Sequence, residues 1–153
     1  MLIDHPLNSI TSAIIKCAIE VHRQLGPGLL EAVYLACLIF ELRAAGLTVA
    51  TQVNVPVHYK GLHFDCGYRL DLLIEGKVIV EVKSVREFAP VHPQQLLTYL
   101  KVTGNEVGLL INFNVSVLTE DIRRVMNTTK ACATRGRAGP FAPARSRPQA
   151  GAR

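Results

Sequence analysis

Residues 69–83 read RLDLLIEGKVIVEVK, and this stretch decides the fold. Two apolar runs rich in β-branched residues flank Glu75-Gly76, which predicts two strands joined by a short hairpin. Asp71, Glu81 and Lys83 interrupt the apolar pattern. Because an unpaired charge is expensive to bury, these three groups indicate a site where a cation or another charge neutralises them.

The hairpin loop decides whether the two carboxylates meet, because successive side chains point to opposite faces of a strand. Glu81 and Lys83 are two residues apart and therefore share a face. A two-residue loop, Glu75-Gly76, would pair Asp71 with Val80 and place its carboxylate on the opposite face.

A three-residue loop over residues 74–76 pairs Asp71 with Ile79 instead, on the face of Glu81. The third loop position, which favours the left-handed conformation, is then a glycine. In this register Arg69 lies opposite Glu81. We therefore predict the three-residue loop and one polar cluster of both carboxylates and the lysine, bordered by Arg69.

Two carboxylates beside an amine suit a hard divalent cation such as Mg²⁺. A bound metal can polarise a phosphodiester and acidify a water molecule. The ammonium of Lys83 can orient that water or stabilise developing negative charge. A cross-strand ion pair on an exposed face explains the same residues, and on these residues alone it is the favoured alternative, since short charge patterns recur by chance.

Composition predicts a globular cytoplasmic protein. The chain has 153 residues and is 49% apolar, which is typical of one domain with a real core. No apolar run approaches the ~20 residues of a membrane span, and the N-terminus lacks the pattern of a secretory signal. The four cysteines form no Cys-x-x-Cys pair, which predicts reduced thiols and argues against a zinc site; they are Cys17, Cys37, Cys66 and Cys132.

The net charge of +5 comes from the C-terminal segment. Six of the 17 basic residues lie in residues 130–153, which contain no acidic residue. The other 11 basic residues face 12 acidic ones, so the rest of the chain carries a net charge of −1. We predict a domain over residues 1–129 and a disordered tail rich in Arg, Pro, Gly and Ala over residues 130–153.

Hydrophobic periodicity and turn residues predict the remaining elements. The order is helix, helix, strands, helix, strand, helix, which predicts an α/β domain with a mixed sheet flanked by helices. We expect helices over residues 9–24, 29–45, 93–103 and 118–126, and strands over residues 49–59, 62–73 and 107–113, in addition to the hairpin.

Three residues outside the hairpin are candidates for a site, each with a structural alternative. Glu31, in the first turn of the second helix, either interacts with the helix dipole or points into the site. Gln95 and Tyr99 are four residues apart and therefore share a helix face; their structural alternative is a surface Gln over a half-buried Tyr.

Several of these residues resemble a known pattern. Gly28-Leu-Leu-Glu31-Ala-Val-Tyr34 resembles the signature of the bacterial GxxExxY protein family. Asp71, Glu81-Val-Lys83 and Gln95-Leu-Leu-Thr-Tyr99 resemble the PD-(D/E)XK nuclease pattern, with the Gln-x-x-x-Tyr helix of its RecB-like branch. The resemblance spans about residues 10–126 and implies a restriction-endonuclease-like core.

The resemblance also implies the ligands of a metal ion. Glu31, Asp71 and Glu81 would hold Mg²⁺ or Mn²⁺, with the backbone carbonyl of Val82 as a further ligand. Lys83 would position the attacking water.

The resemblance implies supporting roles for other residues. Gln95 and Tyr99 would brace the site or contact DNA, and Tyr34 would pack behind the helix that carries Glu31. His22 also fits the family pattern, either as a core histidine bonded to the backbone or as a ligand.

Two kinds of function follow. The first is a metal-dependent nuclease that hydrolyses phosphodiester bonds in DNA; the second is a non-catalytic accessory or interaction module that reuses the fold. Duplex affinity depends largely on neutralised phosphates, so the near-neutral domain would need a local basic stripe or a partner protein. The sequence predicts no membrane partner and leaves the oligomeric state open, with a homodimer as one option.

Overall fold

Residues 5–129 are described by a computed structural model, and the predicted tail over residues 130–153 lies outside them. The described residues form three α-helices, five strands and one short 3-10 helix. In chain order they are α1 (Asn8–Leu25), α2 (Glu31–Ala44), β1 (Val49–Tyr59), β2 (Leu62–Ile74), β3 (Val78–Lys83), α3 (Val91–Thr103), β4 (Val107–Asn112), the 3-10 helix (Leu118–Asp121) and β5 (Ile122–Met126).

The five strands form one sheet in the order β1-β2-β3-β4-β5. Only β3 and β4 are parallel, and α3 connects them; the other neighbouring pairs are antiparallel. The predicted α/β class with a mixed sheet flanked by helices is confirmed. None of the helices between residues 5 and 129 combines the length and apolarity needed to cross a membrane.

Each face of the sheet is covered by different helices. Val78, Val80 and Val82 of β3 join the apolar cluster formed with α1 and α2, whereas Ile79 joins the cluster formed with α3. This alternation means that the odd-numbered residues of β3, including Glu81, project toward the α3 side.

The prediction of a helix over residues 118–126 is wrong. The chain forms the 3-10 helix and then β5, which pairs antiparallel with β4. Every residue of β4 is buried, so an open edge of β4 would leave buried backbone groups without hydrogen-bond partners. Pairing across the sheet therefore overrides the local helical pattern.

The hairpin between β2 and β3 has three loop residues as predicted, but they are residues 75–77 rather than 74–76. Ile74 instead pairs with Val78, and both side chains are fully buried. A loop position would expose the Ile74 side chain to water, whereas pairing with Val78 keeps it buried in the core.

Glu75 makes this loop position feasible although its φ is 53°. Its N–H donates to the carbonyl of Thr48 at 2.9 Å, and its carboxylate accepts from the N–H of Thr48 at 2.6 Å. These two hydrogen bonds hold a conformation that non-glycine residues rarely adopt.

The predicted pairing of Asp71 with Ile79 is therefore wrong by two residues. Leu72 pairs with Val80, which places Asp71 opposite Glu81 and removes Arg69 from that position. A shift of two residues preserves the face, so the prediction that both carboxylates lie on one side does not depend on the error.

The α3 side of the sheet is packed too tightly to accept a methyl group on β4. A Cβ at Gly108 would lie 2.8 Å from Cδ1 of the fully buried Leu96. We expect Gly108→Ala to lower the free energy of unfolding by about 1–3 kcal/mol, measured by urea denaturation. The cost should shrink in a Leu96→Ala background, and equal costs in both backgrounds would contradict this packing.

Candidate functional site

The candidate site lies where β2 separates from β3. The two strands pair only over residues 72–74 of β2, whereas β2 pairs with β1 along almost its whole length. Asp71 is the first residue beyond the paired segment, and the register places Glu81 across from it. The two carboxylates thus face the gap that opens between the strands.

Side chains replace the backbone ladder at this point. The N–H of Asp71 donates to Oε1 of Glu81 at 3.1 Å, and the N–H of Val82 donates to Oδ2 of Asp71 at 2.9 Å. Each carboxylate is therefore held by an amide of the opposite strand. This reciprocal pair of hydrogen bonds fixes both acidic groups and satisfies backbone donors that the separated strands would leave unpaired.

Burial and repulsion between the carboxylates make Glu81 hard to ionise. Glu81 is only 6% exposed. Its pKa is raised to about 8, mainly by loss of solvation and then by the charge of Asp71, against the opposing effects of the Asp71 amide and the Lys83 charge. The site therefore favours added positive charge, as a proton or as a cation.

Tyr99 borders the carboxylate pair from α3. Burial is the main reason that its pKa rises to about 12, and the charges of Glu81 and Asp71 add to the effect. Its ring also contacts Tyr68 of β2, with 5.1 Å between the centroids. Gln95 is half-buried one turn earlier on the same helix.

Lys83 shares the face of Glu81 and is partly exposed. Among residues 5–129 its ammonium forms no ion pair within 4.0 Å. Its backbone is fixed, because its carbonyl accepts the N–H of Phe113 at 2.9 Å and it pairs with Asn112 of β4. The backbone of Lys83 is thus fixed next to Glu81, and the charge of its amine is close enough to lower the pKa of Glu81.

Asn112 is a site-supporting residue that sequence reasoning missed. It is fully buried, and its side chain exchanges hydrogen bonds with both backbone groups of Val85, at 3.0 and 2.8 Å. A second contact of its amide, to Asp121, measures 2.8 Å. Asn112 therefore anchors the loop that follows Lys83; the available signal was a polar residue at the end of an otherwise apolar strand.

Glu31 begins α2 and is half-buried. The hydroxyl of Ser84 donates to the carbonyl of Leu29 at 2.6 Å, so the start of α2 is joined to the residue after Lys83. In the described part of the chain, however, no three His, Cys, Asp or Glu side chains converge on a point suitable for a metal ion. The structure thus brings together two of the three predicted carboxylates, and the role of Glu31 stays a prediction.

Tyr34 packs behind the start of α2, where it is fully buried. Its hydroxyl donates to the carbonyl of Gly26 at 2.6 Å and accepts from the N–H of Leu29 at 3.1 Å. Its ring stacks on Phe113, with 4.7 Å between the centroids. Tyr34 therefore fixes the loop that leads into Glu31.

His22, Arg69 and Val82 each have different contacts in the structure. Nε2 of His22 contacts the carbonyl of Val115 at 2.7 Å, as expected for a histidine bonded to the backbone. Arg69 is exposed and donates from Nε to Gln52 on β1 at 2.6 Å, so its Nε–H is directed toward β1. The Val82 side chain is buried in the α1–α2 cluster, and the role of its carbonyl as a ligand stays a prediction.

The pKa of Glu81 predicts how pH affects stability in the absence of divalent cations. Between the ordinary glutamate pKa of about 4.3 and the folded-state value of about 8, the folded protein holds one more proton than the unfolded chain. The stabilisation is complete below this interval and is lost as pH rises through it, by up to about 1.4 kcal/mol per pH unit.

Urea denaturation in chelator at pH 5.5 and 8.5 measures this effect. Glu81→Gln should remove the Glu81 contribution and gain stability relative to wild type as pH rises, since Gln keeps the acceptor for the Asp71 amide. Glu120→Gln, at an exposed position, is the matched control. Parallel pH profiles for wild type and Glu81→Gln would contradict the prediction.

The chain is similar to a known protein family. No curated protein and no solved structure matches the chain. The family pattern described as the PD-(D/E)XK nuclease superfamily matches residues 8–125, which include the whole sheet and its helices except for the last residue of β5. The mixed sheet with flanking helices is the restriction-endonuclease-like fold, and the chain belongs to the PD-(D/E)XK nuclease superfamily.

Proposed function

We propose that this chain is a nuclease that uses Mg²⁺ or Mn²⁺ to hydrolyse phosphodiester bonds in DNA. The observation that carries the proposal is the reciprocally bonded pair of Asp71 and Glu81, with Lys83 on the same face and without an ion-pair partner among residues 5–129. Membership of a nuclease superfamily supports the reaction class.

The donor set fits a hard divalent cation. Two carboxylates supply the oxygen ligands that Mg²⁺ prefers, and Mg²⁺ keeps several waters, so few protein ligands are needed. The raised pKa of Glu81 supports this fit, because a nearby cation would relieve the repulsion that now disfavours its charge. When bound, the cation supplies Lewis acidity toward a phosphate oxygen.

The residues of the chain have separate roles in this proposal. Asp71 and Glu81 hold the cation, with the carbonyl of Val82 and the carboxylate of Glu31 as further ligands. The hydrogen bond between Ser84 and Leu29 supports the inclusion of Glu31, because it holds the start of α2 against the end of β3.

Lys83 orients the attacking water and offsets negative charge that develops at phosphorus. Its lack of an ion-pair partner within residues 5–129 supports this role. Tyr99 and Gln95 brace the site from α3, which is consistent with the position of Tyr99 against both carboxylates.

The finer family assignment belongs to the same proposal. The positions of Glu31 at the start of α2 and of Tyr34 behind it support the GxxExxY family. Gln95 and Tyr99 lie one turn apart on α3, with Tyr99 near both carboxylates, and this position supports the RecB-like branch.

A non-catalytic nucleic-acid or protein-binding module is the alternative. Two observations favour it: the net charge of −1 outside residues 130–153, and the lack of a three-carboxylate cluster among the described residues. Cleavage assays separate the two functions.

Cleavage should depend on the Lys83 amine. With plasmid and single-stranded DNA in Mn²⁺, we expect Lys83→Ala to lower the cleavage rate about 100-fold or more, the usual scale of a lost acid–base or positioning group. Lys77→Ala, in the exposed hairpin loop, is the matched control. Equal rates for wild type and Lys83→Ala, or no cutting under any condition, would favour the non-catalytic module.

Metal binding should depend on the Asp71 carboxylate. Calorimetric titration with Mn²⁺ should detect binding to wild type and none to Asp71→Asn. Asn retains an oxygen that can accept the Val82 amide, so the fold should persist. Asp65→Asn, at an exposed position on the β1–β2 hairpin, is the control, and binding that survives Asp71→Asn would remove this residue from the metal site.

A further inference from the structure

A row of paired residues connects the carboxylate site with β5. Glu81 pairs with Leu110 of β4, and Leu110 pairs with Arg123 of β5. Directly paired residues project to the same face of a sheet, and Leu110 belongs to the cluster on the α3 side. The side chain of Arg123 therefore projects from the same face of the sheet as that of Glu81. The backbones of these two residues are two strand spacings, or about 10 Å, apart.

The loop that follows Lys83 continues this surface toward β5. Residues 84–90 lead from the end of β3 to α3 and carry Phe88. The guanidinium carbon of Arg123 lies 5.0 Å from the centroid of the Phe88 ring. The carboxylate site and Arg123 are thus joined by one loop whose first residues are anchored by Asn112.

In the described part of the chain, the Arg123 guanidinium stacks on a ring and its N–H groups stay available. Arg123 is exposed, and within residues 5–129 its guanidinium has neither a carboxylate within 4.0 Å nor a hydrogen-bond partner. By contrast, Arg69 donates to Gln52 and Arg124 donates to Thr11. An arginine held on an aromatic face keeps a planar set of N–H donors that can bind a phosphate in bidentate fashion.

His92 adds a second donor beside the same ring. Its ring meets Phe88 edge-on, with 6.1 Å between the centroids. Nδ1 of His92 accepts the N–H of Ala89 at 3.1 Å, so the neutral imidazole carries its proton on Nε2. Phe88 therefore has a guanidinium over its face and an imidazole ring nearly perpendicular to it.

We propose that Arg123, mounted on Phe88 with His92 beside it, contacts a backbone phosphate of the nucleic acid strand whose phosphodiester lies at Asp71 and Glu81. The inference rests on the proposed function, because it assigns the substrate contact to the same site. It supplies positive charge on the site face of a domain that is otherwise nearly neutral. A phosphate contact carries no base information, so the effect is independent of sequence.

Arg123 and Arg124 provide a matched pair for the test. They are neighbours on β5 and carry the same charge, but Arg124 donates to Thr11 of α1, on the other side of the sheet. Fluorescence anisotropy on the full chain, in chelator to prevent cleavage, measures the affinity for labelled single- and double-stranded 20-nucleotide DNA of two unrelated sequences at several salt concentrations. Melting temperatures of both variants check the fold.

Arg123→Gln should weaken binding on the order of tenfold for both sequences, as expected for a lost charged hydrogen bond. The slope of log affinity against log salt should fall by about one. Arg124→Gln should lose less on both measures. Equal losses in the two variants, wild-type affinity in Arg123→Gln, or no DNA binding by wild type would each overturn the inference.

The failure of this inference differs from a failure of the proposed function. Hydrolysis of bis(4-nitrophenyl) phosphate with Mn²⁺ needs no contact with a neighbouring phosphate. Wild-type hydrolysis that is lost in Lys83→Ala, combined with unchanged DNA binding by Arg123→Gln, would retain the nuclease and reject the Arg123 contact. DNA binding that depends on Arg123, without hydrolysis of either substrate, would retain the Arg123 contact and reject the nuclease.

Discussion

Reciprocal hydrogen bonds between two carboxylates and two backbone amides hold the point where β2 leaves β3. The amides of Asp71 and Val82 would otherwise lose their partners as the strands separate, at a cost of about 1–3 kcal/mol for each buried donor. The acidic groups therefore complete the sheet as well as form the candidate site. These hydrogen bonds explain why a buried strand tolerates Glu81.

This arrangement puts two like charges in a poorly solvated place. The folded chain offsets the cost only in part, through the Asp71 amide and the nearby charge of Lys83, and the pKa of Glu81 stays high. In the proposed function, a divalent cation would offset both the repulsion and the solvation cost. Without a cation, the carboxylate pair lowers the stability of the fold as pH rises.

The two faces of the sheet differ in polarity. On the α1–α2 side, apolar residues such as Val80 and Val82 form a continuous core. On the α3 side, a smaller apolar cluster includes Tyr99, which lies near the carboxylates of Glu81 and Asp71. The buried side chain of Asn112 then holds the loop that leads from this face to α3. A rigid apolar layer thus supports a polar face whose residues come from separate parts of the chain.

Much of this could be read from the sequence. Alternation along the strands predicted the apolar ribbon and placed Asp71, Glu81 and Lys83 on one face, because side-chain direction follows from local backbone geometry. Strand β1 was predicted with its observed bounds, and the three observed α-helices were predicted to within two residues at each end, whereas the fourth predicted helix is absent from the described residues. The pattern of Asp71, Glu81-Val-Lys83 and Gln95-Leu-Leu-Thr-Tyr99 resembled that of the superfamily that comparison identified.

Only the tertiary structure decided the rest, because these features depend on partners distant in the chain. Thr48 stabilises Glu75 with positive φ, which moves the hairpin loop by one residue. The buried strand β4 needs hydrogen-bond partners on its second edge, and residues 122–126 supply them as a strand instead of a helix. The backbone N–H groups of Asp71 and Val82 donate to the two carboxylates because β2 and β3 separate at Asp71. No local sequence pattern encodes the place where two strands separate.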